Sequence, residues 1–206
     1  MKRPFTIETA SASIQSSIRN AVISFDEMTV SVIKVTFENK GHRINGYGFC
    51  SNGRYAQDGI IKNRFMPRLH KVSPVSLLDD NGVIDPLKCW SVFTQNEKPG
   101  GHGDRAVAAG ALDMALWDVY AKAYQKPLWK ILSEQFNDNQ VDEQIFVYPG
   151  GGYYYPGKGY EGLKDEFKKY QEQGYKVMKM KVGGDSIEED LRRIDAALSV
   201  VGFGKN

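Results

Sequence analysis

Apolar and polar positions alternate in the first third of the chain, and this pattern predicts three β-strands. Residues 29–37 read TVSVIKVTF, which are largely β-branched and partly alternating. A turn at 39–41 separates them from a second segment over 44–50, where Gly46 and Gly48 mark close approaches of the backbone. A further strand near 5–12 would complete a small antiparallel meander.

Beyond residue 56 the apolar period lengthens to three and four residues, which predicts helices. They are expected over 57–70, 85–95, 104–124 and 127–132. The strongest is 104–124, where Val107, Ala111, Met114 and Ala115 recur at helical steps. We therefore predict an α+β domain over residues 1–136.

The period changes again after the polar linker at 137–143. An apolar strand (144–148), an amphipathic helix (161–173), a second strand (175–180) and a helix from a capping box at Ser186 and Glu189 to about Val200 follow in order. Such alternation predicts parallel strands joined by right-handed crossovers. Two parallel strands cannot bury both faces, so residues 137–206 are predicted to be the start of an incomplete α/β domain.

The composition of the chain indicates neither a nucleic-acid-binding protein nor a disulfide-rich or membrane protein. A formal net charge of +2 gives no signal for binding nucleic acid. Cys50 and Cys89 are too few for a disulfide scaffold and are expected to be buried in a reducing compartment. The start has no signal-peptide pattern, and no run approaches the roughly 20 apolar residues of a membrane helix. We expect a cytoplasmic protein without a membrane or nucleic-acid partner.

Lys179 and Lys181 carry the most informative chemistry. In an extended strand, residues two apart share a face, so the two ammonium groups stand side by side with Met180 turned away. Each charge disfavours protonation of the other and lowers its pKa from about 10.4. That arrangement can turn a lysine into a base. An alternative of equal weight is a pair of exposed lysines that guard an edge strand against aggregation.

Other candidates are weaker from spacing alone. The loop at 98–103 precedes a helix, which suits an anion, but it lacks the spacing of a nucleotide-binding loop, and Lys98 is more simply a solvated side chain. Asn52 lies in a segment typical of a turn, where it could also present an amide to a ligand. The three histidines have no metal-ligand spacing. A tyrosine triplet at 153–155 follows a strand end, so at least one ring is expected to line a cavity.

Two segments resemble the enolase superfamily, in its mandelate racemase and muconate lactonizing subgroup. RAVAAGALDMALWD at 105–118 is similar to the capping-domain helix of that family, and YKVMKMKVGG at 175–184 is similar to the end of its second barrel strand. The loops SNGRY (51–55), NEKPGGHG (96–103) and GGYYYPGKG (151–159) resemble the D-tartrate dehydratase subfamily. The resemblance covers essentially the whole chain.

This resemblance implies a capping domain over a modified (β/α)7β barrel, in which Mg²⁺ holds a substrate carboxylate and stabilises an enediolate. It implies that Lys181 removes the proton α to the carboxylate, while Lys179 stays cationic, lowers the pKa of Lys181 and helps to bind the carboxylate. The substrate would be tartrate or another acid sugar, and tartrate would give oxaloacetate and water. Four further residues are implied as substrate contacts: Asn20, Asn52, Lys98 and Tyr153.

The chain departs from the family in one respect. The family's metal ligands, an Asp and two Glu, lie at the ends of later barrel strands, so they are expected beyond Asn206, and no metal ligand is assigned here. We expect a chain truncated after the second barrel strand and helix, and inactive alone. It could be a non-catalytic fragment or half of a split enzyme completed by a second chain. An intact enzyme is expected to be a homo-oligomer, and a racemase or another acid-sugar dehydratase is the alternative activity.

Overall fold

The computed structural model describes residues 3–26, 28–39, 41–53, 56–98 and 103–204, with the backbone alone at 51–53. The chain forms two compact units. One comprises Met1–Ser13 and Met28–Val141, and the other comprises Ile14–Glu27 and Asp142–Asn206. Residues 14–27 therefore group with the C-terminal unit, although they fall inside the stretch 1–136 that the sequence assigns to the first domain.

The described part of the N-terminal unit begins with strands and continues with helices. Its elements are β1 (Phe5–Ser13), β2 (Thr29–Asn39), β3 (His42–Gly53), α1 (Gln57–Ile60), a π-helical turn (Ile61–Phe65), α2 (Met66–Lys71), a 3-10 turn (Pro74–Leu77), α3 (Pro86–Phe93), α4 (Asp104–Ala123) and α5 (Leu128–Phe136). The three strands form an antiparallel sheet in the order β1-β2-β3. The predicted meander and its α+β class are confirmed.

One face of this sheet forms the core. Phe37 lies opposite Phe5 on β1, and Ile33 lies opposite Gly48 on β3. Because cross-strand partners share a face, apolar side chains and glycines line the same side. Helix α4 packs on that side with small and branched residues, which are buried: Ala108, Ala111, Leu112, Ala115, Leu116 and Val119.

Gly46 and Gly48 allow the helix to approach this closely. A Cβ on Gly48 would lie 2.0 Å from the carbonyl oxygen of Ala111, and one on Gly46 would lie 2.3 Å from that of Ala115. Both atoms belong to the backbone of α4 and cannot move aside independently. The two glycines therefore set the distance between the sheet and the helix.

The C-terminal unit begins with a short parallel pair of strands. Its described elements are β4 (Gly150–Gly151), α6 (Gly159–Glu172), β5 (Lys179–Met180) and α7 (Ile187–Val201). Gly150 pairs with Lys179 and Gly151 with Met180. The two helices bury a small cluster formed by Leu163, Phe167, Ala196 and Ala197. The alternation of strands and helices is confirmed, as is parallel pairing.

The strand predicted over 144–148 is wrong in position. Ile145 and Phe146 are exposed, and the paired residues lie further along the chain at 150–151. A strand is defined by the partner that receives its backbone hydrogen bonds, and β5 lies opposite only those two residues. The predicted start of α7 is correct, because the Ser186 Oγ accepts a hydrogen bond from the Glu189 N–H at 3.2 Å.

No helix in the described part of the chain has the length and apolar character that crossing a membrane requires.

Replacing Gly48 by alanine is expected to destabilise the N-terminal unit by about 1–3 kcal/mol, because its methyl group would overlap the backbone of α4. All three tryptophans, Trp90, Trp117 and Trp129, lie in that unit, so urea unfolding followed by their fluorescence reports on it selectively. Gly110→Ala is the matched control. Gly110 is an exposed residue of α4 with open space around it, and the change is expected to stabilise by about 0.5–1 kcal/mol. Equal midpoints for the two variants would contradict the close-approach argument.

Candidate functional site

The two lysines lie at and immediately after β5. The Lys179 N–H donates to the Pro149 carbonyl at 2.9 Å, and the Lys181 N–H donates to the Gly151 carbonyl at 3.1 Å. The backbone of both lysines is thus hydrogen-bonded to β4 and to the residue that precedes it. Met180 packs against the helical cluster of the C-terminal unit, so the lysines share the other face. The predicted side-by-side arrangement is present.

The Lys179 ammonium lowers the pKa of Lys181. The largest cause is a hydrogen bond between the two side chains, followed by their charge repulsion and by partial burial. An ammonium group has no acceptor lone pair, so the hydrogen bond forms only when one of the two lysines is the neutral amine. Lys179 is exposed, whereas Lys181 is half-buried. The pair therefore favours Lys181 as the group that accepts a proton.

Tyr153 faces Lys181 with its ring, whose centroid lies 5.4 Å from the Lys181 Nζ. Phe25 meets the same ring edge-on at 6.3 Å. A cation over an aromatic face is stabilised, so the ring favours the protonated form of Lys181 and opposes the effect of Lys179. Tyr153, one of the residues implied as substrate contacts, thus lies against Lys181.

Asn20 has a structural role within the segment 14–27. Its Oδ1 accepts hydrogen bonds from the N–H groups of Val22 and Ile23, both at 2.8 Å. The amide oxygen therefore closes a local turn. Arg19, beside it, pairs with Tyr154 through two backbone hydrogen bonds of 3.2 and 3.1 Å, which fix this segment to the chain that follows β4.

Lys98 and Asn52 belong to the N-terminal unit. Asn52 lies in β3, but its side chain is outside the described residues, as are Arg54, Tyr55 and residues 99–102. Lys98 is exposed, and its carbonyl accepts a hydrogen bond from Arg105 at 3.1 Å. The preceding Glu97 connects this part of the loop to helical segments through ion pairs with three arginines. These are Arg64, Arg68 and Arg105.

Each ring of the tyrosine triplet contacts a cation. The Tyr154 ring contacts two guanidinium groups, with Arg193 at 3.8 Å and Arg19 at 4.9 Å from its centroid, and the Tyr155 ring centroid lies 4.8 Å from the Lys158 Nζ. All three rings line one cavity of about 440 Å³ in the C-terminal unit. The expectation that the triplet lines a cavity is confirmed.

Asp190 and Arg193 are site residues that the sequence reasoning missed. Both lie on α7, both are buried to 8% exposure, and both bind the backbone around the lysines. From the sequence they form an ordinary i,i+3 ion pair on a charged helix, which is usually solvated. The available signal was their position in the first two turns of the helix that follows the lysine strand.

The described residues do not fit a magnesium site. Mg²⁺ prefers carboxylate and water oxygens, and no group of three or more His, Cys, Asp or Glu side chains that could hold a metal ion occurs among them. Asp190 is a buried carboxylate that follows the lysines in the chain, and it already forms an ion pair with Arg193 at 3.0 Å.

Residues 5–133 match the profile of the mandelate racemase / muconate lactonizing enzyme N-terminal domain. The chain belongs to this family. A curated relative, the arabinonate dehydratase of Saccharolobus solfataricus, is 33% identical over 132 residues, which cover 64% of this chain and 33% of the relative. The match to the family profile and the capping-domain fold agree with the resemblance that the sequence shows.

Solved structures share the fold of almost the whole chain. A mandelate racemase/muconate lactonizing enzyme-like protein from Rubrobacter xylanophilus superposes with a TM-score of 0.68 at 20% identity, covering 98% of this chain and 50% of that one. L-talarate/galactarate dehydratase from Salmonella typhimurium LT2, liganded with Mg and L-lyxarohydroxamate, superposes with a TM-score of 0.65 at 20% identity. The superposition covers 96% of this chain and 48% of the dehydratase. The chain thus spans about half the length of the solved structures and a third of the curated relative.

Replacing Lys179 by glutamine is expected to raise the pKa of Lys181 towards its ordinary value of 10.5, because both the hydrogen bond and the repulsion are lost. Only the neutral amine reacts with acetic anhydride, so labelling of Lys181 at pH 8 should slow and its pH profile should move to higher pH. Peptide mass spectrometry measures both. Lys176→Gln, at an exposed lysine near the same strand, is the control. An unchanged Lys181 profile in Lys179→Gln would show that the two amines are not coupled.

Replacing Tyr153 by leucine is expected to shift the labelling profile of Lys181 in the opposite direction, to lower pH, because the ring that stabilises the ammonium is removed. Tyr153→Phe keeps an aromatic face and should leave the profile close to that of the wild type. If the leucine and phenylalanine variants behave alike, the ring contact has no influence on the proton affinity of Lys181.

Proposed function

We propose that this chain forms part of an acid-sugar dehydratase in which Lys181 abstracts the proton α to a carboxylate. The observation that carries the proposal is the placement of Lys179 and Lys181 on one face at the end of β5, where the hydrogen bond with Lys179 and its charge lower the pKa of Lys181. A general base works best when its pKa lies near the operating pH, and an ordinary lysine lies far above it. The lysine pair thus supports proton abstraction as the first step.

The neighbouring groups suit an anionic substrate. Lys179 supplies an ammonium beside the base, which would attract the substrate carboxylate and offset the charge that develops when the α-proton leaves. Once protonated, Lys181 would remain over the face of Tyr153, which stabilises a cation. We propose Tyr153, Asn20, Asn52 and Lys98 as the residues that contact the substrate.

Dehydration is supported by the names of the relatives. The matched curated protein is an arabinonate dehydratase, and one of the solved structures is an L-talarate/galactarate dehydratase. Both names describe loss of water from a hydroxylated carboxylic acid. Abstraction of the α-proton and departure of the β-hydroxyl as water would leave an enol, which becomes a 2-keto acid.

D-Tartrate is the specific substrate that we propose. The loops at 51–55, 96–103 and 151–159 resemble the tartrate dehydratase subfamily, whereas the matched relative is named for arabinonate. With tartrate, loss of the α-proton and the β-hydroxyl gives the enol of oxaloacetate, with one water released. Tartrate carries a carboxylate at each end, and Lys98 is proposed to contact one of them.

We also propose Mg²⁺ as the cofactor of the full enzyme, because the L-talarate/galactarate dehydratase structure contains Mg. The described residues of this chain offer no site for it, so its ligands would lie on another part of the enzyme. That part would be further barrel strands, either of a longer polypeptide, which would then form a homo-oligomer, or of a second chain that completes the barrel.

The proposal is tested with a hybrid in which residues 1–206 are joined to the part of the Saccharolobus arabinonate dehydratase that corresponds to the barrel strands after residue 206. With Mg²⁺ in D₂O, proton NMR should show conversion of D-tartrate to oxaloacetate in preference to arabinonate or galactonate. Deuterium incorporation at the α-carbon without loss of water would indicate a racemase instead. Absence of turnover of every acid sugar by a hybrid with native circular dichroism would contradict the dehydratase assignment.

In the same hybrid, Lys181→Ala is expected to lower kcat by about 10²–10⁴-fold, which is the usual contribution of a positioned general base. Below the pKa of Lys181 the wild-type rate should fall, since protonation removes the base. Lys176→Ala should retain the wild-type rate. Full activity of Lys181→Ala would refute the role of Lys181 and leave the substrate assignment standing.

A further inference from the structure

A buried ion pair on α7 binds the backbone at Lys181, at Gly183 and at Gly152. Asp190 and Arg193 lie 3.0 Å apart and are each only 8% exposed. Removing two charges from water is costly, and a buried pair is retained without loss of stability only when further hydrogen bonds satisfy both groups. The hydrogen-bond partners of Asp190 and Arg193 therefore show which part of the chain the pair stabilises.

Arg193 binds two strand ends at once. One of its terminal nitrogens donates to the Gly152 carbonyl at 2.6 Å, and the other donates to the Lys181 carbonyl at 3.3 Å. Gly152 immediately precedes Tyr153, which faces the base. A single guanidinium group thus connects the backbone beside the base with the backbone beside its aromatic neighbour.

Asp190 completes the connection. Its Oδ2 accepts from the Gly183 N–H at 2.5 Å, and its Oδ1 accepts from the Tyr154 hydroxyl at 2.7 Å. That hydroxyl in turn accepts from the Gly184 N–H at 2.9 Å, and the Tyr154 ring stacks on Arg193. The ion pair and Tyr154 together bind the backbone at Gly152, Lys181, Gly183 and Gly184.

The carboxylate of Asp190 stays ionised at neutral pH. Burial by itself would raise its pKa, but the hydrogen bonds from Tyr154, Gly183 and Arg193, together with the Arg193 charge, outweigh it and lower the pKa. The ion pair is thus intact over the pH range in which Lys181 would act as a base.

We infer that Arg193, held by Asp190, is a positioning residue that sets the distance of the Lys181 amine from Lys179 and Tyr153. The inference rests on the proposed function of Lys181 as a base. β4 and β5 pair over only Gly150–Gly151 and Lys179–Met180, which is too short to hold the lysines in place. The helix α7 therefore supplies the positioning. The pKa of Lys181 then depends on a residue that does not contact its amine.

The test measures the pH profile of Lys181 acetylation in the purified 206-residue chain, with Lys176 as an internal reference. Asp190→Asn is the decisive variant, because two explanations predict opposite signs. Loss of a nearby negative charge, acting through space, would lower the pKa of Lys181 and speed its labelling at pH 8. Loss of positioning would separate Lys181 from Lys179, raise its pKa and slow the labelling towards the rate of Lys176. We expect slower labelling.

Arg193→Lys supplies a second, independent readout. It keeps the positive charge but cannot bridge two carbonyls and a carboxylate with a planar fork. We expect it to slow the labelling of Lys181 as Asp190→Asn does. Arg192→Ala is the matched control, since Arg192 is the neighbouring arginine on α7, with a side chain that is 67% exposed and lies 3.5 Å from Glu189. It should leave the profile unchanged.

The outcomes separate the positioning role from the proposed function. If Asp190→Asn and Arg193→Lys keep the helical circular dichroism and the wild-type profile of Lys181, or if Asp190→Asn speeds labelling, the positioning role is wrong. If wild-type Lys181 reacts no faster than Lys176, and Lys179→Gln changes nothing, the base assignment itself fails. If a variant loses its helical signal, the other variant decides the result.

Discussion

The candidate site depends on a buried ion pair because its two strands are too short to hold themselves. β4 and β5 pair over two residues each, so their ladder contributes few hydrogen bonds. The Asp190–Arg193 pair on α7 adds contacts to Gly152, Lys181 and Gly183, and the ring of Tyr154 packs against it. Seating of α7 on the strand ends therefore fixes the geometry in which the lysines and Tyr153 meet.

Two neighbours act on Lys181 in opposite directions. The Lys179 ammonium favours the neutral amine, and the Tyr153 ring favours the ammonium. A group that must take a proton and later give it up benefits from both influences, because its pKa has to lie near the working pH. The balance depends on distance, and a small shift of either strand end would change it.

In the N-terminal unit, too, helix packing determines the position of a loop. Gly46 and Gly48 let α4 lie directly on the sheet, and Arg105 in the first turn of α4 donates to the carbonyl of Lys98. The depth at which the helix packs therefore sets the position of the backbone of a proposed substrate contact. Glu97 strengthens this link by pairing with arginines from other helices of the unit.

Local periodicity in the sequence determined the meander, the helix α4, the start of α7 at Ser186 and the shared face of Lys179 and Lys181, because these features depend on residues a few positions apart. Only the tertiary structure decided that 150–151 rather than 144–148 pairs with β5, that residues 14–27 join the C-terminal unit, and that Asp190 and Arg193 are buried. Each of these depends on a partner distant in sequence. A strand takes its limits from the chain that faces it, and a helical ion pair is buried only when backbone groups elsewhere in the chain receive its hydrogen bonds.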